Sequence, residues 1–481
     1  LKRGGSGGEA SRAGGHASAR VMRAGFSRHA ASRALDFAQV NSVWRQALPD
    51  SNLRSVGQWG GLPDVDVGRH LRGVAQLDAW WRVVSSACPL VASPVAERVI
   101  CEVRSNLARL LVERPAALPV DGAGDLLRLA RALALQAERS EHAYVVSEEE
   151  AAWAEHLPGL EAGPWEGVAA ALRPAFPASQ EASEVVRGHE AVRQFYERHV
   201  FPRWEDLVPW GPQDALAPAV REAGEAGRAV LVAGCGTGRW ACHFAASFPR
   251  ASVLGVDISA ASLAFAEERR LRFGLRNLSF ERADLRSWSP AESFDLVECG
   301  GVLHHLEDPE AAWARLAAAV RVGGSLLVSL YSRSGRRGLK ELRDAVLRDG
   351  ARSYGAAPAA PLGGPPGDAE LRWFRREMLS RMWATDLHPL ALSPDFHSLS
   401  RLRDMMFHPL EHEYSLPEVD AMVRRLGLRC HGLEADAQLL DLLRQACPGS
   451  DPGDLASWHA LEQRVPDVFA GMYELVLTRE R

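Results

Sequence analysis

Several absences narrow what this 481-residue chain can be. It has no run of about 18 apolar residues, so no membrane-spanning helix and no membrane partner are expected. It lacks paired cysteines. The seven cysteines, at 88, 101, 235, 242, 299, 430 and 447, form no CxxC, and their number is odd. That excludes a regular disulfide framework and a zinc knuckle, and fits reduced thiols in a cytosol-like compartment. Excess positive charge is also missing: 56 Lys and Arg stand against 61 Asp and Glu, a net charge of −5. Broad phosphate neutralisation is therefore not expected, and no RNA-binding module is visible, so nucleic acid is an unlikely partner. The local basic stretch at 333–343 reads as a solvated loop and helix start. Acids are nearly absent from the first 35 residues, where only Glu9 interrupts a run rich in Arg, Ala, Ser and Gly. That composition resembles an organellar transit peptide, and a disordered tail explains it equally well. The chain starts at Leu rather than Met, so an upstream start is expected.

What is present reads as a globular protein of more than one domain, with 47% hydrophobic and 24% charged residues. We expect a disordered or targeting-like tail over 1–60, a helical domain over 61–190, and a third domain over 191–481. In the helical part, apolar residues recur at helical steps in Leu71, Val74, Leu77, Trp80, Trp81 and Val84, again in Leu107, Leu110 and Leu111, and in Leu126, Leu127, Leu129 and Leu133. Such stripes are core packing, and no repeat period of about 34 residues links them. From 228 onward, β-rich runs at 229–233, 252–256, 278–281, 294–299 and 325–330 alternate with helical segments. This rhythm predicts a parallel sheet with helices on both faces. Ser259 is placed to cap a helix burying Leu263, Ala266 and Leu271. Asp308–Pro309 opens another, which turns Trp313, Leu316 and Val320 inward and ends near Gly323–Gly324. After a Pro/Gly-rich break at 355–367, helices continue to about 425 as an insertion over 335–425. Runs at 426–433 and 472–477 then predict an antiparallel pair at the sheet edge, within a terminal segment 426–481.

The sharpest local signal is VLVAGCGTG at 230–238, where a buried strand runs into Gly234-Cys235-Gly236-Thr237-Gly238 and a helix begins near Arg239. Glycines suit a tight turn that approaches a ligand closely, and the free amides of the next helix suit an anion. Cys235 reads as a small side chain there. About twenty residues on, Asp257 ends the second strand and could accept both hydroxyls of a ribose, with Ile258 beside it. Asp284 follows the third strand, placed to accept from an adenine amine, with Leu285 against the ring. Gly300 ends the fourth. A nicotinamide reading survives on the loop alone, because Gly236-Thr237-Gly238-Arg239-Trp240-Ala241 also satisfies GxGxxA. Three features oppose it: Asp284 has no obvious partner on a dinucleotide, the loop is wider, and the fourth strand opens into GGVLHHLEDP. A nucleoside carrying an amino-acid tail fits better.

With these motifs in order, residues 228–330 resemble the core of the class I S-adenosylmethionine-dependent methyltransferases. Flanking pieces resemble a bacterial-type group sometimes joined to tetratricopeptide repeats: ALALQAERSEHAYVVSEEE at 132–150, RQFYERHVFPRW at 193–204, FHPLEHEYSLPEV at 407–419 and VFAGMYELVL at 468–477. That group usually carries YEENPYPRW, which Arg198, His199, Val200 and Phe201 alter here. The resemblance implies an α/β, Rossmann-like sheet with an all-α N-terminal domain and a helical lid insertion. It implies S-adenosyl-L-methionine as cofactor and methyl transfer to an unidentified acceptor, small molecule or protein. An alternative is a silent cofactor-binding protein whose helical domain mediates protein association.

Methyl transfer from a sulfonium chiefly requires alignment and exclusion of water, so an obvious catalytic residue need not exist. The candidates for a base are His304 and His305, past the fourth strand, and Tyr331, past the fifth; His412 is a candidate substrate-pocket residue. Tyr196, Arg203 and Trp204 precede the sheet and could cover the cofactor, with Arg203 pairing the methionine carboxylate. His408, Glu411 and His412 match HxxEH, but Pro409 permits the helical spacing only at a helix start and no third ligand is apparent, so no metal site is expected.

Overall fold

The computed structural model describes residues 188–204, 207, 209–211, 216–353, 366–382, 391, 393–469 and 471–480. It also describes Glu97, Ile100, Cys101, Arg104, Leu133, Ser140, Glu141, Ala143 and Tyr144. The expected tail, almost all of the helical domain with its apolar stripes except the buried Leu133, and the 355–365 part of the Pro/Gly-rich break lie outside the described residues.

Two helices, α1 (Gly188–Arg198) and α2 (Pro218–Glu225), lead into an alternating series. It runs β1 (Ala229–Ala233), α3 (Arg239–Ser247), β2 (Ser252–Asp257), α4 (Ala260–Arg272), β3 (Leu278–Arg282) and β4 (Phe294–Gly300). A short 3-10 turn at Leu303–His305 precedes α5 (Pro309–Ala319) and β5 (Val320–Tyr331). Four helices follow: α6 (Arg333–Ser353), α7 (Asp368–Met382), α8 (Leu399–Phe407) and α9 (Leu416–Arg425). The chain continues as β6 (Leu428–Leu433), α10 (Ala437–Ala446), α11 (Leu455–Arg464) and β7 (Met472–Arg479).

The seven strands lie in the order β3-β2-β1-β4-β5-β7-β6. The first five are parallel; β7 runs antiparallel to β5 and to β6. This is a Rossmann-like sheet with helices on both faces. The chain moves outward from β1 to β3, then returns to β4 on the other side of β1, so the strand order reverses between β1 and β4. In open parallel sheets ligands bind at such a reversal, beyond the carboxyl ends of the strands.

The central strands are buried on both faces, which explains their continuous apolar runs. Val230 and Val232 of β1 pack with Ala241, Phe244 and Ala245 of α3 on one face. Leu231 and Ala233 face Trp313 and Leu316 of α5 on the other. Ser259 caps α4 by accepting from the Ser262 amide at 3.1 Å, and Asp308 caps α5 by accepting from the Ala311 amide at 3.0 Å.

Two local expectations fail. Leu271 lies 64% exposed on the outer side of α4, although Leu263 and Ala266 are buried as the spacing requires. The α5 helix stops at Ala319, and Val320 opens β5 instead, opposite Phe294. The register of β4 against β5 slips between Phe294 and Leu296, and the slip is absorbed by Gly323 at a φ of +81°. Fully buried Val320 is β-branched and fits the pleat better than a helix end.

Among the late helices, α9 opens with a capping box between Ser415 and Glu418 and packs Leu416, Val419 and Met422 into the core that holds β6. The segment between α8 and α9 runs extended as a strap. Its backbone donates from His412 to the His304 carbonyl at 2.8 Å and from Tyr414 to the Tyr331 carbonyl at 3.0 Å. The Arg333 amide returns a bond to the Tyr414 carbonyl at 2.9 Å.

Candidate functional site

The carboxyl ends of β1, β2, β3 and β4 open into one cavity of about 330 Å³. From β1 the loop contributes Gly234, Cys235 and Gly236; from β2 come Asp257 and Ile258, from β3 Asp284 and Leu285, and from β4 Gly300. Tyr196 of α1 lies across from them, and His305 closes the opposite wall.

Local chemistry explains the loop. Gly234, Gly236 and Gly238 all adopt left-handed backbone, with φ of +70°, +52° and +71°. A side chain at Gly234 would strike Val302, and at Gly236 a Cβ would come 3.2 Å from the Phe201 carbonyl. Gly238 does not line the cavity. A Cβ there would meet Ala266 and Phe280 at 2.8 Å, so its glycine serves the packing of the loop on α4 and β3. Asp257 ties the loop to the next helix, accepting from the Gly236 amide at 2.8 Å and the Ser259 amide at 2.9 Å. Burial raises its pKa above the usual carboxylate range, against the pull of these amides.

Asp284 is already engaged. Its carboxylate accepts from the Arg286 guanidinium at 2.8 Å and lies 3.3 Å from His189 Nε2. Burial alone would raise its pKa, and the bonds and charge of Arg286 reverse that and hold it low. The segment before α2 is stitched to the loop: Thr237 Oγ1 donates to the Pro202 carbonyl at 2.7 Å, and Trp204 Nε1 donates to the Thr237 carbonyl at 3.1 Å. Trp204 is thereby buried beneath the loop, and its neighbour Arg203 is turned to solvent. Arg203 therefore does not reach the cavity; the arginines that line it are Arg239 and Arg401.

Behind the His305 side of the cavity lies a histidine stack. His305 Nδ1 lies 2.8 Å and His408 Nδ1 2.6 Å from the one Leu410 carbonyl, and the two rings stack with centroids 3.5 Å apart. A carbonyl can only accept, so His305 Nδ1 carries the proton and its Nε2 presents a lone pair, while His408 Nδ1 also lies 3.2 Å from the Leu410 amide. Burial drives the His305 pKa down to about 3 and His408 well below its ordinary value, so both rings are neutral. His304 is fully buried behind them, 4.0 Å from the Tyr331 ring. His304, Tyr331 and His412 do not line the cavity.

His305, Asp404 and His408 bring potential ligand atoms within 4.8 Å of one another. An ion about 2 Å from both imidazole nitrogens would require the rings to diverge from it, not to stack face to face. The arrangement does not fit a shared ion. The HxxEH pattern is not helical either: α8 ends before His408, and Glu411 is paired with Arg336 at 2.9 Å. Asp404 instead accepts from the Tyr196 hydroxyl at 2.8 Å, and burial raises its pKa to about 7.

Sequence reasoning passed over the far end of the cavity, where Glu298 of β4, Ser329 of β5 and Glu474 of β7 lie. Glu298 was the one with a signal: an acid in the buried strand FDLVECG. Burial raises its pKa to about 8. Arg401 and Glu474 carry no local mark, since the fold recruits them from α8 and from an antiparallel strand.

Residues 230–324 match the family model described as a methyltransferase domain. A trans-aconitate 2-methyltransferase of Deinococcus radiodurans is 42% identical over 101 residues, which cover 21% of this chain and 37% of that enzyme. An uncharacterized methyltransferase of Mycobacterium bovis is 36% identical over 143 residues, covering 29% of this chain and 69% of the relative. A Rickettsia typhi structure, PKMT2 in complex with AdoHcy, aligns over 55% of this chain and 53% of its own at a TM-score of 0.37 and 14% identity. The chain spans about half or less of the length of several curated relatives it matches, for example 40% of a Synechococcus protein. A glycine cradle and two acids at successive strand ends, the family model, and the Mycobacterium relative agree: the chain belongs to the class I S-adenosylmethionine-dependent methyltransferases.

Proposed function

We propose that this protein transfers a methyl group from S-adenosylmethionine to a carboxylate oxygen of a small organic acid. The cofactor supplies, when bound, a methyl group already activated on a sulfonium. Asp257 is suited to the ribose hydroxyls, the backbone around Asp284 and Leu285 to the adenine, and the glycine loop to the amino-acid tail. Tyr196, His305 and Arg401 then border the space left for the acceptor.

The observation that carries the acceptor class is the character of that wall. An imidazole with a pKa of about 3 is a poor proton acceptor near neutrality, so His305 is not suited to deprotonate an acceptor. Tyr196 is held protonated by burial and by the neighbouring Asp404 carboxyl. A nucleophile that arrives with its lone pair free suits such a site, and a carboxylate does. Arg401 also lines the cavity, 3.4 Å from the Asp395 carboxylate, and is the cation assigned to the acid's charge. Relatives named for trans-aconitate support the same class.

The test is production of S-adenosylhomocysteine from the full chain with a panel of small carboxylates, trans-aconitate included, beside a panel of amines. Turnover with carboxylates is expected, with the Arg401→Met variant raising KM for the acid about tenfold and leaving cofactor affinity unchanged. Turnover with amines alone would overturn the carboxylate reading. Tight S-adenosylhomocysteine binding without turnover of any acceptor would favour a silent cofactor-binding protein.

A further inference from the structure

Resting on the reading that this cavity takes S-adenosylmethionine, we infer that Glu298, on the fourth strand, is the counter-charge for the α-ammonium group of the methionine tail. The tail is a zwitterion, and a cation taken out of water needs a buried partner. The glycine loop supplies none: Gly234, Cys235, Gly236, Thr237 and Gly238 contain no acid, and Val232, which lines the cavity just before them, is apolar. Asp257 is taken by the ribose in the reading above, and Asp284 is held by Arg286. Among the described residues that line the cavity, Glu298 is the acid that remains next to the loop.

Its position follows from sheet register. Glu298 pairs with Val232 across the β1–β4 boundary, where the strand order reverses. It is 9% exposed, lines the cavity, and places Oε1 so that a Cβ on Gly300 would lie 2.5 Å away. The carboxylate accepts from the Gly300 amide, and the absence of a side chain at Gly300 leaves the rest of it open toward the cavity. From the end of β2, where Asp257 stands, to β4 is two strand spacings, about 10 Å. That distance matches the reach from a ribose to the amino end of its attached amino acid. Glu474 on β7 lies two strands farther from β4 and is too distant from the loop to serve instead. Glu474 faces Glu298 closely enough to disfavour its charge, and a bound ammonium between the loop and Glu298 relieves that repulsion. Binding of the zwitterion is accordingly coupled to release of a proton from Glu298 at neutral pH.

The experiment measures calorimetric affinity of the full chain for S-adenosylhomocysteine and for its deamino analogue, in wild type and in Glu298→Gln. Wild type should bind the amino compound about ten- to a hundredfold more tightly, the worth of one charge-assisted hydrogen bond. Glu298→Gln should bind the two alike, with the deamino analogue bound as in wild type, which also shows that the variant is folded. Adding Val232→Asp to Glu298→Gln moves the acid one strand over, and should restore discrimination. Repeating the titration at pH 7 in buffers of different ionisation enthalpy should show proton release in wild type and none in Glu298→Gln. Unchanged discrimination in Glu298→Gln overturns the assignment and leaves the cofactor reading standing. Failure of the wild type to bind S-adenosylhomocysteine at all removes the cofactor reading itself.

Discussion

At the scale of single residues, the site is governed by carboxyl groups in different surroundings. Asp257 holds two backbone amides and is half-buried at the cavity wall. Asp257→Ala should leave those amides without partners, at about 1–3 kcal/mol each, and should weaken S-adenosylhomocysteine binding at least about tenfold. Urea unfolding and calorimetry read the two effects separately. Glu298 differs in that burial lifts its folded pKa to about 8, far above the ordinary 4.5 of a glutamate. A carboxyl raised in the folded state contributes its full stability below pH 4.5 and loses it as pH rises to about 8. Relative to wild type, Glu298→Gln should therefore gain thermal stability steadily across that window and level off above it. A melting series from pH 5 to pH 9 checks the sign. Equal pH dependence of the two proteins would mean that Glu298 titrates normally.

At the scale of elements, the strap over residues 408–414 holds the histidine wall in place by bonding to the ends of β5 and of the Leu303–His305 turn. Its side-chain anchor is Glu411, which meets Arg336 of α6 at 2.9 Å; Arg336 in turn donates to the Met405 carbonyl and lies 4.2 Å over the Tyr331 ring. Removing one member of such a buried pair leaves the other uncompensated, at about 3–5 kcal/mol, whereas replacing both by apolar groups costs much less. Glu411→Gln should thus destabilise more than the Glu411→Leu, Arg336→Met double variant in urea unfolding. This element also shows what the sequence revealed. The glycine loop, Asp257 and the caps at Ser259 and Asp308 were readable because each depends on neighbours a few residues away. The wall was not. Tyr196 and His305 meet Asp404 from about one to two hundred residues away, and only the folded chain fixes their distances. Arg203 was misread for the same reason: the Trp204 bond to Thr237 decides which way it points.

At the scale of the whole molecule, the described N-terminal residues fasten to the helices that follow the sheet. Arg375 of α7 is 2% exposed, bonds Glu97 at 2.6 Å and the Phe396 carbonyl, and lies 5.3 Å from the Tyr144 ring. Glu141 accepts from the Ser400 amide at 2.6 Å, at the first turn of α8, where a negative charge is favoured. Glu97→Gln should cost about 3–5 kcal/mol by leaving Arg375 buried without its partner. Because Arg401 stands one residue beyond Ser400, Glu141→Ala should raise KM for the acceptor with little change in cofactor affinity. Steady-state kinetics distinguish this from a change in both.

The order of the sheet has one more consequence. The strand β7 follows β6 in the chain yet lies inside it, between β5 and β6. During synthesis on the ribosome, β5 emerges with an unpaired inner edge, and β6 has nothing to join until residues 472–479 appear. Nascent chains stalled before Met472 should consequently expose a sticky strand edge and call on chaperones, whereas chains released just beyond Arg479 should close the sheet in a single late step.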